Sequence, residues 1–92
     1  MAKNVIMVSE EDRNMVQRAD IEMSSLMNLI SFMMSRNMDM DGEKFKRYEQ
    51  EYQDKFLEFE KAKTYLSNKY LNGINATSWS LDYESCELTY EQ

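Results

Sequence analysis

Phe45, Tyr52, Phe59 and Leu66 recur every seven residues, and Tyr48, Phe56, Ala62 and Tyr70 fall three or four residues from them. That spacing gathers all eight on one side of a helix over residues 43–71. The other side carries Glu43, Lys46, Arg47, Glu51, Lys55, Glu58 and Lys61, which suit water. A stripe this aromatic has to be covered, by this chain or by another. Glu43 with Arg47, and Glu51 with Lys55, are i,i+4 pairs in the favoured order. Asn72 and Gly73 end the helix, glycine taking the left-handed position past the last turn.

The covering element lies upstream. Ser9 is a good N-cap, and Glu10, Glu11 and Asp12 complement a helix dipole, so a first helix runs over residues 10–36. Ala19, Met23, Leu26, Ile30 and Met33 keep a 4-3-4-3 rhythm, the seam of a coiled-coil-like pairing. Leu29, Phe32 and Met34 widen the apolar surface beyond that seam. Each helix spans about 40 Å, and the short connection over residues 37–42 forces them into an antiparallel hairpin. Asp41 is placed to cap the second helix. Two helices bury only one side each, so apolar surface is left over.

Strands are expected at the two ends. Val5, Ile6, Met7 and Val8 form a short β-favouring run at residues 5–8. Trp79, Leu81 and Tyr83 alternate with polar residues, and the phase then slips to Cys86, Leu88 and Tyr90. With no Asn-Gly or Asp-Gly pair near the slip, residues 78–90 read as one strand bent near Glu84 and Ser85 or as a tail, in preference to a tight hairpin of two short strands. Residues 5–8 should pair with residues 79–83. The expected fold is α+β, mainly α: one domain, a long antiparallel two-helix hairpin with a short N-terminal strand and a C-terminal strand.

Composition removes several functions. The 92-residue chain has no histidine, one cysteine, two glycines and no proline. The commonest general base is absent, and two glycines cannot build a phosphate loop. The net charge of −6 argues against direct nucleic-acid binding. The charge is uneven: the second helix is nearly neutral, while the tail holds Asp82, Glu84, Glu87 and Glu91 with no base. A lone Cys86 cannot form an intrachain disulfide. The first residues lack the apolar core of a signal peptide, and no apolar run approaches the ~20 residues of a membrane span. The expectation is a cytoplasmic protein without membrane contact, cofactor or catalytic residues.

Asn37, Asp39 and Asp41 alternate and precede Gly42, with helices on both sides. This run resembles the first half of an EF-hand calcium loop. The resemblance implies a weak calcium-responsive module, but the twelfth position is Tyr48 where that family carries a bidentate glutamate. Nine methionines bear on binding, because methionine suits adaptable surfaces. Met38 and Met40, with Trp79, Leu81, Tyr83, Leu88 and Tyr90, are the candidate partner contacts. Met23, Leu26, Ile30, Met33, Phe45, Tyr52, Phe59 and Leu66 form a core or dimer seam. The functional expectation is a non-enzymatic protein-binding module: a homodimeric acidic adaptor, regulator or inhibitor whose partner carries a basic surface. A rival is an acidic blocker of another protein's nucleic-acid site, of the kind phages encode.

Overall fold

Ser9 stands in extended backbone, and its hydroxyl accepts the Asp12 N–H at 3.1 Å. This cap starts α1 (Glu10–Ser35) in a computed structural model that describes residues 4–36 and 42–92. α2 (Glu43–Tyr70) follows. Its N-cap is Gly42, with no side-chain cap bond, rather than the expected Asp41. Residues 37–41, which hold Met38, Met40 and the EF-hand-like run, lie outside the described residues. The helix ends at Leu71, and Gly73 takes φ +80° two residues later. Three strands complete the fold: β1 (Asn4–Met7), β2 (Ser78–Leu81) and β3 (Glu87–Glu91). The fold is α+β, mainly α, measuring 49 × 25 × 23 Å.

Two expectations about the ends are corrected. Residues 78–90 form a hairpin of two strands, not one bent strand. The Asp82 carboxylate makes this turn possible without glycine. It accepts the Glu84 N–H at 2.9 Å and the Ser85 N–H at 3.4 Å. The Asp82 carbonyl accepts the Cys86 N–H at 2.9 Å, and the Asp82 N–H donates to the Glu87 carbonyl at 2.9 Å. An aspartate side chain thus mimics a backbone turn. Cys86 closes the loop at φ +63°, an uncommon conformation for a non-glycine residue.

The second correction concerns the partner of β1. The sheet order is β1-β3-β2, all antiparallel, so β3 lies between the two segments expected to pair. Val5 faces Thr89 and Met7 faces Glu87. The ladder continues into the turn, where the Val8 N–H donates to the Cys86 carbonyl at 2.8 Å. A hairpin offers two edges where a single strand offers one neighbour, and β1 takes the free edge of β3.

Packing divides into two clusters. At the end carrying the termini, Val8, Val16, Ala62, Leu66, Leu71 and Leu88 are buried together. Ile6, Phe59, Tyr70, Trp79, Leu81, Tyr83 and Tyr90 pack against them. At the far end, Ile30, Met33 and Phe45 are buried, with Tyr48 and Tyr52 against them. Every residue of the expected seam is buried or half-buried, including Met23 and Leu26 between the clusters. Phe56 departs from the stripe reading and is exposed. Neither expected i,i+4 ion pair forms. Lys55 reaches across to Glu22 at 3.0 Å and along α2 to Glu58 at 3.4 Å. No helix among the described residues is long and apolar enough to cross a membrane.

Leu66 is fully buried where α2 meets the sheet. Leu66→Ala should cost about 3 kcal/mol and lower the melting temperature by ~12–24 °C for a domain of this size. Thermal melts followed by circular dichroism check this, and an unchanged midpoint would remove Leu66 from the core.

Candidate protein-interaction surfaces

The strongest polar cluster locks the open end of the helical hairpin. The Asp12 carboxylate accepts from Lys69 Nζ at 2.8 Å and from the Tyr70 hydroxyl at 2.7 Å. The Ser9 N–H donates to the same Tyr70 oxygen at 3.1 Å. Asp12 is buried in the first turn of α1, while Lys69 stays half in water. Lys69, and then Tyr70, hold the Asp12 carboxyl below its usual range. Asp12 in turn raises the Lys69 ammonium above its ordinary value. These residues bind one another, and none lines the two larger grooves, so the cluster fastens the helix ends together.

A second fastening holds the β-hairpin turn on α1. The Tyr83 hydroxyl donates to Asp20 at 2.8 Å, and Arg13 donates to the Tyr83 carbonyl. Burial, and then the Asp20 carboxylate, push the Tyr83 phenol above its ordinary range.

The candidate partner contacts fall mostly inside. Leu88 is fully buried at the centre of the sheet, and that corrects its assignment as a surface contact. Trp79, Leu81, Tyr83 and Tyr90 are half-buried against the same core cluster. They face the helices because the sheet has only one covered side, and the alternate positions Ser78, Ser80, Glu87 and Glu91 face water.

Exposed apolar surface lies elsewhere. Residues 23–35 of α1 contain no acid or base, although charged residues make up 30% of the chain. This covers about 20 Å of helix with no charge on any face. Met27, Leu29, Phe32 and Met34 within it are 37–53% exposed. Helical rotation sets Met27 and Met34 on one flank of the seam and Leu29 on the other, with Phe32 turned outward. Phe56 and Leu57 add exposed apolar surface on α2. The sequence already sets Leu29, Phe32 and Met34 beyond the seam as surplus apolar surface. A further signal is the gap in charge between Glu22 and Arg36, legible in the sequence.

Two grooves flank the hairpin. One, of about 910 Å³, runs between the helices over Ala19 and Ala62, whose small side chains leave the space. Met15 and Tyr65 wall it, and Glu11, Arg18, Glu22, Glu58 and Lys61 ring it. The other, of about 560 Å³, runs between β2 and α2 over Phe59.

The Asp12 lock sets a pH dependence. Its carboxyl titrates lower in the folded chain, so its contribution is complete above the unfolded value near 3.8 and disappears as pH falls through the lower folded value. The Lys69 contribution has the opposite sense: complete below its unfolded value near 10.5, and lost as pH rises through the raised folded value. Asp12→Asn keeps the shape and an acceptor for Tyr70. It should lower the melting temperature at pH 7 and narrow the gap to the parent chain as pH falls from 5 to 2.5. Parallel melting curves that never converge in acid would disconnect Asp12 from acid stability.

Comparison of the chain with protein-family models, with curated proteins and with solved structures finds no match.

Proposed function

We propose that this chain is a non-enzymatic protein-binding module that self-associates through the uncharged half of α1, acting as a small acidic adaptor, regulator or inhibitor. The observation that carries this reading is the charge-free stretch at residues 23–35, with its exposed methionines and phenylalanine. An exposed helix ordinarily carries charge on its outer face. Interface cores are poor in charge and rich in methionine and aromatic residues, which matches this stretch. Two copies meeting here need to bury on the order of 1,000 Å² in total, the lower bound of a specific interface.

Charge favours a second copy over an acidic or basic partner at this face. Neither sign is present on it to repel or select. The remaining acidic surface, concentrated on the β-hairpin, suits a basic partner. A free, buried Cys86 suits a reducing compartment, and we place the protein in the cytoplasm.

Sedimentation equilibrium from ~1 to 100 µM tests the reading. The parent chain should be dimeric over most of that range. The double variant Met27→Glu with Phe32→Glu should be monomeric with an unchanged helical circular dichroism spectrum. A parent chain that sediments as a monomer throughout would overturn self-association.

A further inference from the structure

β2 is an edge strand, because among the described residues no strand lies beyond it in the order β1-β3-β2. Its free backbone groups follow from its register. In an antiparallel ladder, alternate residues turn their N–H and C=O toward alternate neighbours. The Asp82 N–H bonds the Glu87 carbonyl, so Asp82, Ser80 and Ser78 point toward β3. Trp79 and Leu81 therefore point their backbone groups outward, toward the edge. Natural edges are blunted by charge, proline or a bulge. The sequence Ser-Trp-Ser-Leu of β2 has neither charge nor proline.

This edge opens into the groove beneath it rather than into bulk water. The whole of β2 lines the groove, with Thr77 and Tyr83 at its ends. Phe59 and Val16 form the floor, and Thr64 and Ser67 of α2 stand on the opposite wall. Its volume of about 560 Å³ lies within the ~300–1,000 Å³ of ligand pockets. Four extended residues, about 13 Å, match the length of β2.

We propose that this groove binds an extended peptide segment as a fourth, antiparallel strand on β2, with apolar and basic side chains in alternation. The register supplies both halves of that description. Inward positions of an added strand would lie beside Trp79 and Leu81 and near Phe59, the apolar part of a groove in which the Lys63 ammonium sits 4.8 Å over the Phe59 ring. Outward positions would lie beside Ser78, Ser80 and Asp82, with Glu87 and Glu91 one strand further. No lysine or arginine follows Lys69 in the chain, and among the described residues no ion pair takes up Asp82, Glu87 or Glu91, although Arg13 of α1 reaches the turn at the Tyr83 carbonyl. In the groove itself, Glu60 and Lys63 pair at 3.0 Å and cancel. Basic outward side chains therefore meet an acidic surface. The same charge disfavours a second copy as occupant, since pairing β2 with its own copy would bring two acidic hairpins together. The site is distinct from the self-association face of α1.

The probe is a capped six-residue peptide of alternating valine and lysine carrying a fluorophore. Trp79, the chain's single tryptophan, reports from inside the groove. The peptide should bind saturably by anisotropy, shift the Trp79 emission, and move the Trp79 and Leu81 amide resonances most. N-methylation at the valines removes the donors that face β2 and should weaken binding about tenfold or more. Replacing lysine by glutamate should abolish binding, and Thr64→Arg on the groove wall should do the same without altering the fold. The monomeric α1 double variant should bind like the parent, which separates this site from self-association. The proposal is overturned by equal binding of the N-methylated peptide, by amide shifts centred on residues 23–35, or by no binding at ~1 mM peptide. It is equally overturned if the Trp79 and Leu81 amides are already protected by a second copy before peptide is added.

Discussion

Two helices packed side by side bury one stripe each and no more. Everything else in this chain answers that constraint. Near the termini, the sheet covers the side that the helices leave open. Leu88 enters the cluster containing Val16, Ala62 and Leu66, and the far side of the hairpin's root becomes interior. The polar fastenings hold this cover in place. Asp12 ties the start of α1 to Lys69 and Tyr70 at the end of α2, and Asp20 holds the β-hairpin turn through Tyr83. The sheet extends no further, and past it the hairpin relies on the small cluster of Ile30, Met33 and Phe45.

The sequence made the helical part legible because its signals are local. A seven-residue period, a serine followed by three acids and an Asn-Gly pair are read within a few turns of chain, and α1 and α2 stand within a residue of where those signals place them. The strand arrangement was not legible for the same reason. The turn at residues 82–86 lacks the usual glycine, and an aspartate side chain with a left-handed cysteine does the work instead. Periodicity reports which face of a strand is buried and is silent about its neighbour. It could not place β3 between β1 and β2. The Asp12 lock joins residues 57 apart in sequence, and no local pattern marks such a pair.

Alternation also left open what Trp79, Leu81, Tyr83, Leu88 and Tyr90 meet, and only Leu88 is fully buried. Large residues at every second position in a terminal segment indicate a face that must be covered, and do not say by what. Here the chain's own helices cover it. The uncharged stretch of α1 is the opposite case. Its seam accounts for only Met23, Leu26, Ile30 and Met33, and Leu29, Phe32 and Met34 already stood outside it in the sequence. What remains, Met27, Leu29, Phe32 and Met34, is surplus to a two-helix core.

Charge placement divides the molecule into two chemically different ends. The outer face of residues 23–35 is uncharged and apolar, so association through it draws on hydrophobic burial and should respond little to salt. Around the β-hairpin the surface is acidic, and any attraction there is screened beyond about 10 Å at 0.1 M salt. The β2 groove lies under this acidic surface but is itself lined by hydroxyls and a neutralised ion pair. Backbone pairing on β2 is local and shielded, whereas the carboxylates of Asp82, Glu87 and Glu91 act through solvent. A strand docked on β2 would therefore owe its on-rate to charge and its residence time to backbone bonds and the apolar floor. Raising salt should slow its arrival far more than it hastens its departure.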